Sequence, residues 1–147
     1  NLHLVIAALK ELDIKIDLNL FDDTPLFGRC QKILPNVTID VGHNPLAASV
    51  IVNEFKNRKI TLIYNSYKDK DFETVLNILK PIIKKIVIIP LEDKRIVDKN
   101  NLLNIIKQLN IENEETLKIE EDEEYLVFGS FLVIEKFLTL IGFNDKS

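Results

Sequence analysis

The segment Ile39-Asp40-Val41-Gly42-His43-Asn44-Pro45 sets a carboxylate, an imidazole and an amide on a turn that leaves an apolar strand and opens a helix. Val37, Ile39 and Val41 carry the strand pattern. Asn44 is a favoured N-cap, and Pro45 suits the first helical position, where a missing N–H costs nothing. Free backbone N–H groups at such a helix start face the carboxyl edge of the sheet, where a nucleotide or another anion can be held. Read alone, Asp40 serves equally well as a ligand contact or as a carboxylate capping the turn. His43 read alone is an ordinary exposed turn residue.

The chain has few groups for clamping a phosphate or carboxylate in two-pronged fashion, since its only arginines are Arg29, Arg58 and Arg95. Arg29 follows Gly28 and precedes a strand, a place that favours function over a surface ion pair worth ~0 to 1 kcal/mol. Lys94 and Arg95 follow an apolar strand and could line a crevice at its end, but a solvated loop is their default reading. Cys30 has no histidine near it in sequence and reads as a partly buried small side chain rather than a nucleophile. Ser130 lacks the G-x-S-x-G setting of a hydrolase nucleophile, because Val127 stands at the first glycine position. His3 is assigned to a helix surface.

Composition narrows the function classes. The 147 residues are 46% hydrophobic and 29% charged with a net charge of -4, as in an ordinary soluble domain long enough to bury a full core. No apolar run approaches the ~20 residues of a membrane span, and no signal peptide is recognisable. The acidic balance and the lack of basic residues interleaved with aromatics argue against nucleic acid as a partner. One cysteine excludes an internal disulfide, no Cys/His spacing resembles a zinc site, and a reducing cytoplasm follows as the expected location. The chain has no methionine and begins inside an apolar-periodic run, Leu2, Val5, Ile6, Leu9, Leu12, so a fragment of a longer protein is expected.

These residues need a scaffold, and the hydrophobic pattern supplies one. A first helix should end near Asp13, a connection runs over 17–23, and the main domain begins near Pro25. Strands are predicted over 31–34, 37–41, 60–64, 85–89 and 126–128, and helices over 45–55, 71–79, 99–109 and 131–141. The runs Ile60-Thr61-Leu62-Ile63-Tyr64 and Ile86-Val87-Ile88-Ile89 are nearly all apolar, as in parallel strands covered on both faces. This βαβ rhythm predicts an open, doubly wound α/β sheet. Right-handed crossovers would then gather the turns after Val41, Tyr64, Ile89 and Phe128 in one crevice. The acidic stretch from Glu112 to Glu124 reads as a solvated connection or a helix start.

Four blocks in this order and spacing are collectively specific: Phe27-Gly28-Arg29-Cys30-Gln31, Ile39 to Ala47, Lys68-Asp69-Lys70-Asp71, and Val127-Phe128-Gly129-Ser130-Phe131. Together they resemble the carboxyl-terminal domain of the bacterial folylpolyglutamate synthase/dihydrofolate synthase family, relatives of the Mur ligases. The resemblance implies a Rossmann-like, mostly parallel sheet with helices on both faces over residues 25–147. It makes residues 1–24 the last helix of a central ATPase domain plus an interdomain linker.

The resemblance further implies an ATP-dependent ligase that adds L-glutamate to folate or dihydropteroate through an acyl phosphate. ATP would be shared between domains, and Mg2+ held mainly by an amino-terminal portion, because this sequence has no G-x-x-x-x-G-K-[ST] phosphate loop. The amino-terminal ATPase domain of the same polypeptide would be the partner, in a monomeric enzyme. As site residues it implies Asn1 near the adenine, Asp40 on the ribose hydroxyls, His43 against ribose or base, and Arg29 on the phosphates. Lys68 and Lys70 would engage the glutamate, or Asp71 would merely cap the next helix, and Ser130 would meet an anionic substrate group. Two departures stand out: Gly42 replaces the usual alanine, a small change, and Asn65-Ser66-Tyr67 replaces a more glycine-rich turn. A Mur-type domain acting on a peptidoglycan precursor and a stand-alone nucleotide-binding or interaction module are the alternatives.

Overall fold

The computed structural model describes residues 29–142; the expected first helix, the connection over 17–23 and Asn1 lie outside these described residues. Six strands form one sheet in the order β1-β2-β6-β3-β4-β5, with β1 Gln31–Leu34, β2 Val37–Asp40, β3 Ile60–Tyr64, β4 Ile83–Ile88, β5 Glu112–Asn113 and β6 Tyr125–Phe128. Only β1 runs antiparallel to its neighbour; the other pairings are parallel. The helices are α1 Pro45–Glu54, α2 Phe72–Leu79, α3 Lys99–Gln108 and α4 Phe131–Leu140, and a 3-10 turn, Lys80–Ile82, leads from α2 into β4.

The alternation of side chains across the strands separates two cores. Leu62, Tyr64, Leu126 and Phe128 point to the side covered by α1, α2 and α3, through Ala48, Ile51, Val75, Leu76, Leu79, Leu102 and Ile106. Val37, Ile39, Ile63, Tyr125 and Val127 point to the other, where α4 contributes Val133, Ile134, Phe137 and Leu138, with Leu117 and Ile119 packed alongside. Each such side chain taken fully out of water contributes about 1.5–3 kcal/mol, so both faces of the sheet must be covered. The doubly wound architecture expected from the apolar runs is therefore present, with three described helices on one face and one on the other.

The acidic stretch contains no helix. Glu112–Asn113 forms a short parallel edge strand on β4, and the far end of the stretch is fastened by charge. Glu123 meets Lys84 at 2.8 Å and Lys85 at 3.6 Å, Glu124 meets Arg58 at 3.0 Å, and Glu114 meets Lys85 at 2.6 Å. Asn36 adds two hydrogen bonds, donating from Nδ2 to the carbonyls of Glu120 and Glu123. These lysines also explain why β4 starts at Ile83 rather than at Lys85: its two charged residues have carboxylates waiting for them.

Candidate functional site

The turns that follow β2, β3, β4 and β6 converge at the carboxyl edge of the sheet around one open cavity of about 1320 Å³. Its wall includes Arg29, Asp40, His43, Lys68, Lys70 and Ser130, so the structure brings together every sequence-predicted site residue that it describes. This convergence follows from the topology. β6 lies between β2 and β3, which places the start of α4 directly beside the start of α1.

Each turn is locked by its own helix cap. Asn44 Oδ1 accepts the Ala47 N–H at 2.8 Å, Asp71 Oδ1 the Thr74 N–H at 3.2 Å, and Ser130 Oγ the Val133 N–H at 3.3 Å. Asp71 is thus the cap of α2 and stands off the cavity wall, whereas Lys68, Asp69 and Lys70 line it. The Ser130 hydroxyl both caps α4 and faces the cavity.

Asp40 is only 6% exposed, and both carboxylate oxygens already serve the backbone. Oδ1 accepts the Gly42 N–H at 2.7 Å and Oδ2 accepts the Cys30 N–H at 3.0 Å. One buried side chain therefore fixes the turn into α1 and the corner that carries Arg29, where Cys30 adopts a left-handed φ of 49°. Burial pushes the Asp40 carboxyl above its usual range, opposed by the two N–H donors and by the nearby Arg29 charge. The Cys30 thiol is a further hydrogen-bond partner of the same carboxylate. The His43 Nδ1–H donates to the Val41 carbonyl at 3.3 Å, which in the neutral ring leaves Nε2 as an acceptor.

Gly42 is not a minor change from alanine in this chain. A Cβ there would lie 2.5 Å from Ala47 Cβ, 2.7 Å from Asp40 Oδ1 and 2.9 Å from a Phe128 ring carbon. Glycine lets the turn pack against α1 and lets Asp40 reach the Gly42 N–H.

Of the two basic residues after β4 that could line the crevice, Arg95 does and Lys94 does not. One feature escaped the sequence reading. At the rim of the same cavity Leu46, Val50 and Phe131 are 76%, 54% and 50% exposed, an apolar edge on the first two turns of α1 and the start of α4. Leu46 and Val50 are four residues apart on one helix face, a spacing that reads as core when no structure is in hand.

Cys30 is half-buried beside Asp40, and burial first, then the charges of Asp40 and Glu54, push its thiol up to about 12. A thiol so shifted is almost wholly protonated at neutral pH. Its reaction with a disulfide reagent at pH 8 should be slower than that of the urea-unfolded chain by on the order of ten- to a hundredfold, because the loss of thiolate outweighs the greater nucleophilicity of a more basic thiolate. Equal rates in the two states would show that neither burial nor the neighbouring carboxylates hold the thiol protonated.

No family model matches the chain. A curated relative, the dihydrofolate synthase/folylpolyglutamate synthase of Buchnera aphidicola subsp. Acyrthosiphon pisum, is 30% identical over 144 residues, covering 86% of this chain and 34% of that protein. Among solved structures, Helicobacter pylori folylpolyglutamate synthetase is 46% identical with a TM-score of 0.77, over 80% of this chain and 32% of the other. The E. coli enzyme FolC in complex with ADP superposes with a TM-score of 0.66 over 93% of this chain and 38% of its own, at 24% identity, which supports the fold alone. No helix among the described residues is long and apolar enough to cross a membrane. The chain is thus similar to folylpolyglutamate and dihydrofolate synthases, spans about one third of the length of the relatives it matches, and shares their α/β fold over that third.

Proposed function

We propose that this chain is the carboxyl-terminal part of a cytoplasmic, monomeric, ATP-dependent ligase that joins L-glutamate to folate or dihydropteroate. In this reading residues 1–24 close a central ATPase domain and lead into the domain described above. The observation that carries it is the convergence of three cations, Arg29, Lys68 and Lys70, with Asp40, His43 and Ser130 on one cavity at the sheet edge, a cavity that Glu54 and Asp69 also line. A site that must hold phosphate and carboxylate oxygens together, and stabilise charge that builds on them, needs fixed cations in this arrangement.

The donor set fits ATP. Arg29 would meet the phosphates, Asp40 and His43 the ribose and base, and Asn1 the adenine, while Lys68, Lys70 and Ser130 would take the glutamate and its acceptor carboxylate. ATP supplies the phosphoryl group that activates the acceptor carboxylate for attack by the glutamate amine. The exposed apolar rim of Leu46, Val50 and Phe131 suits an amino-terminal domain closing over the cavity and excluding water.

Magnesium does not fit here. Among the described residues there is no group of three His, Cys, Asp or Glu side chains able to hold a metal ion, and the buried Asp40 is engaged by two backbone donors. Its ligands belong, in this reading, to the amino-terminal portion.

The test is the complete polypeptide incubated with ATP, Mg2+, L-glutamate and either dihydropteroate or a reduced folate. Formation of ADP together with a glutamylated pterin is the expected result. Activity only with a peptidoglycan precursor would move the assignment to the Mur-type ligases, and no amide product with any acceptor would end the ligase reading.

A further inference from the structure

The two loops that form the lysine side of the cavity are fastened to each other by a device that no cap or core contact requires. The loop after β3 and the loop after β4 pair as a short antiparallel ribbon. The Lys68 N–H donates to the Arg95 carbonyl at 2.7 Å, the Val97 N–H donates to the Ser66 carbonyl at 2.9 Å, and Tyr67 and Ile96 form the bridge between them. Beneath the ribbon Asn65, 4% exposed, donates from Nδ2 to the Ile89 carbonyl at 2.7 Å.

Arg95 closes the ribbon from above. Its guanidinium lies 4.8 Å from the centroid of the Tyr67 ring, and Asp93 grips it from two residues away. Nε donates to Asp93 Oδ1 at 3.0 Å, Nη2 to Oδ2 at 2.9 Å, and the Arg95 backbone N–H to Oδ1 at 2.8 Å. An exposed ion pair of ordinary geometry is worth little, but a two-pronged one has a single geometry and adds to the ring contact. The grip holds the Asp93 carboxyl down at about 2, so it persists across the physiological range.

The Arg95–Asp93 pair is close to neutral and covers Tyr67, so its effect on the cavity passes through what it holds. What it holds is the turn Lys68-Asp69-Lys70, whose two cations face the same cavity as Arg29. We propose that Asp93, Arg95 and Tyr67 form a brace that sets the Lys68–Lys70 turn for the anionic amine substrate, making Arg95 a positioning residue for glutamate. This rests on the ligase reading given above. In that reading the nucleotide would be met by Arg29, Asp40 and His43, on the segments flanking β1 and β2, so the brace should bear on one substrate and not the other.

The experiment uses the complete enzyme with Arg95→Ala, Arg95→Lys and Asp93→Asn. The expected result is a KM for L-glutamate raised about tenfold or more, with the KM for ATP unchanged, because a small misplacement of a positioned charge is costly. Arg95→Lys keeps the charge and loses the two-pronged grip, so it should behave as the alanine variant. Restored glutamate binding in Arg95→Lys would show that charge alone matters and overturn the brace. Amide hydrogen exchange on the same proteins reads the brace apart from the reaction: protection of the Lys68 and Val97 amides should fall in all three variants. Unchanged protection overturns the brace even if the wild-type enzyme proves inactive on glutamate, an outcome that would sink only the ligase reading. Lost protection with unchanged glutamate KM overturns the positioning role.

Discussion

In the complete polypeptide, on the proposed ligase reading, Arg29→Ala is expected to lower kcat by on the order of 10²- to 10³-fold, with a smaller change in the KM for ATP. The argument starts from the backbone. Cys30 sits in a left-handed conformation, and its N–H is held by the buried Asp40 carboxylate at 3.0 Å, so the residue before it enters the cavity from a fixed corner. Arg29 itself is exposed on the cavity wall and free of the helix caps that occupy the neighbouring turns. In the proposed reading a guanidinium on such a mount would meet a phosphoryl group as charge develops on it, and its removal would cost more in the transition state than in the ground state. Steady-state kinetics of the variant, with circular dichroism to show an intact fold, is the measurement. A loss confined to the KM for ATP would assign Arg29 to ground-state binding, and turnover equal to wild type would remove it from the chemistry. Arg29→Lys separates charge from shape: it should recover part of the rate but not all.

Much of this architecture is legible in the sequence because the strands that matter most are buried on both faces. Ile60 to Tyr64 is wholly buried, and an uninterrupted apolar run is what that environment selects. The helix starts are legible for a different reason: Asn44, Asp71 and Ser130 cap locally, within three residues of the N–H groups that they satisfy. What escaped depends on partners far away in the chain. Lys84 and Lys85 hide the beginning of β4 because their carboxylates arrive at Glu114 and Glu123. β5 is two residues long and exists only by pairing with β4, so no periodicity announces it. Arg95 stands on a turn expected at the crevice, but its contact with the Tyr67 ring is one that spacing cannot predict. Asp40 shows the same limit from the other direction, since its type and place mark a ligand contact while its two backbone bonds reveal a structural duty as well.

Gly129→Ala should destabilise the domain by about 3 kcal/mol or more, a large share of the ~5–15 kcal/mol that keeps a domain folded. Two costs add at this position. The residue has φ +147°, a conformation that side-chain-bearing residues rarely adopt, and a Cβ would lie 2.5 Å from the Asn65 carbonyl oxygen and 3.0 Å from Val133 Cγ2. Neither neighbour can step aside cheaply. Asn65 is buried, with its side chain bonded to Ile89 and to the Ser66 N–H, and Val133 is fully buried in the second core. The close approach itself follows from the sheet, because β6 pairs with β3 up to Phe128 opposite Tyr64, and the next residue must pass the carbonyl of Asn65. Urea unfolding of the chain would read the loss as a lower midpoint at unchanged slope. A cost below about 1 kcal/mol would mean that the Asn65 turn gives way, and a displaced Asn65 would carry the Lys68–Lys70 turn away from Ser130. In that case the folded variant of the complete enzyme should lose glutamate affinity instead, so the same substitution tests whether these two turns are held rigidly against each other.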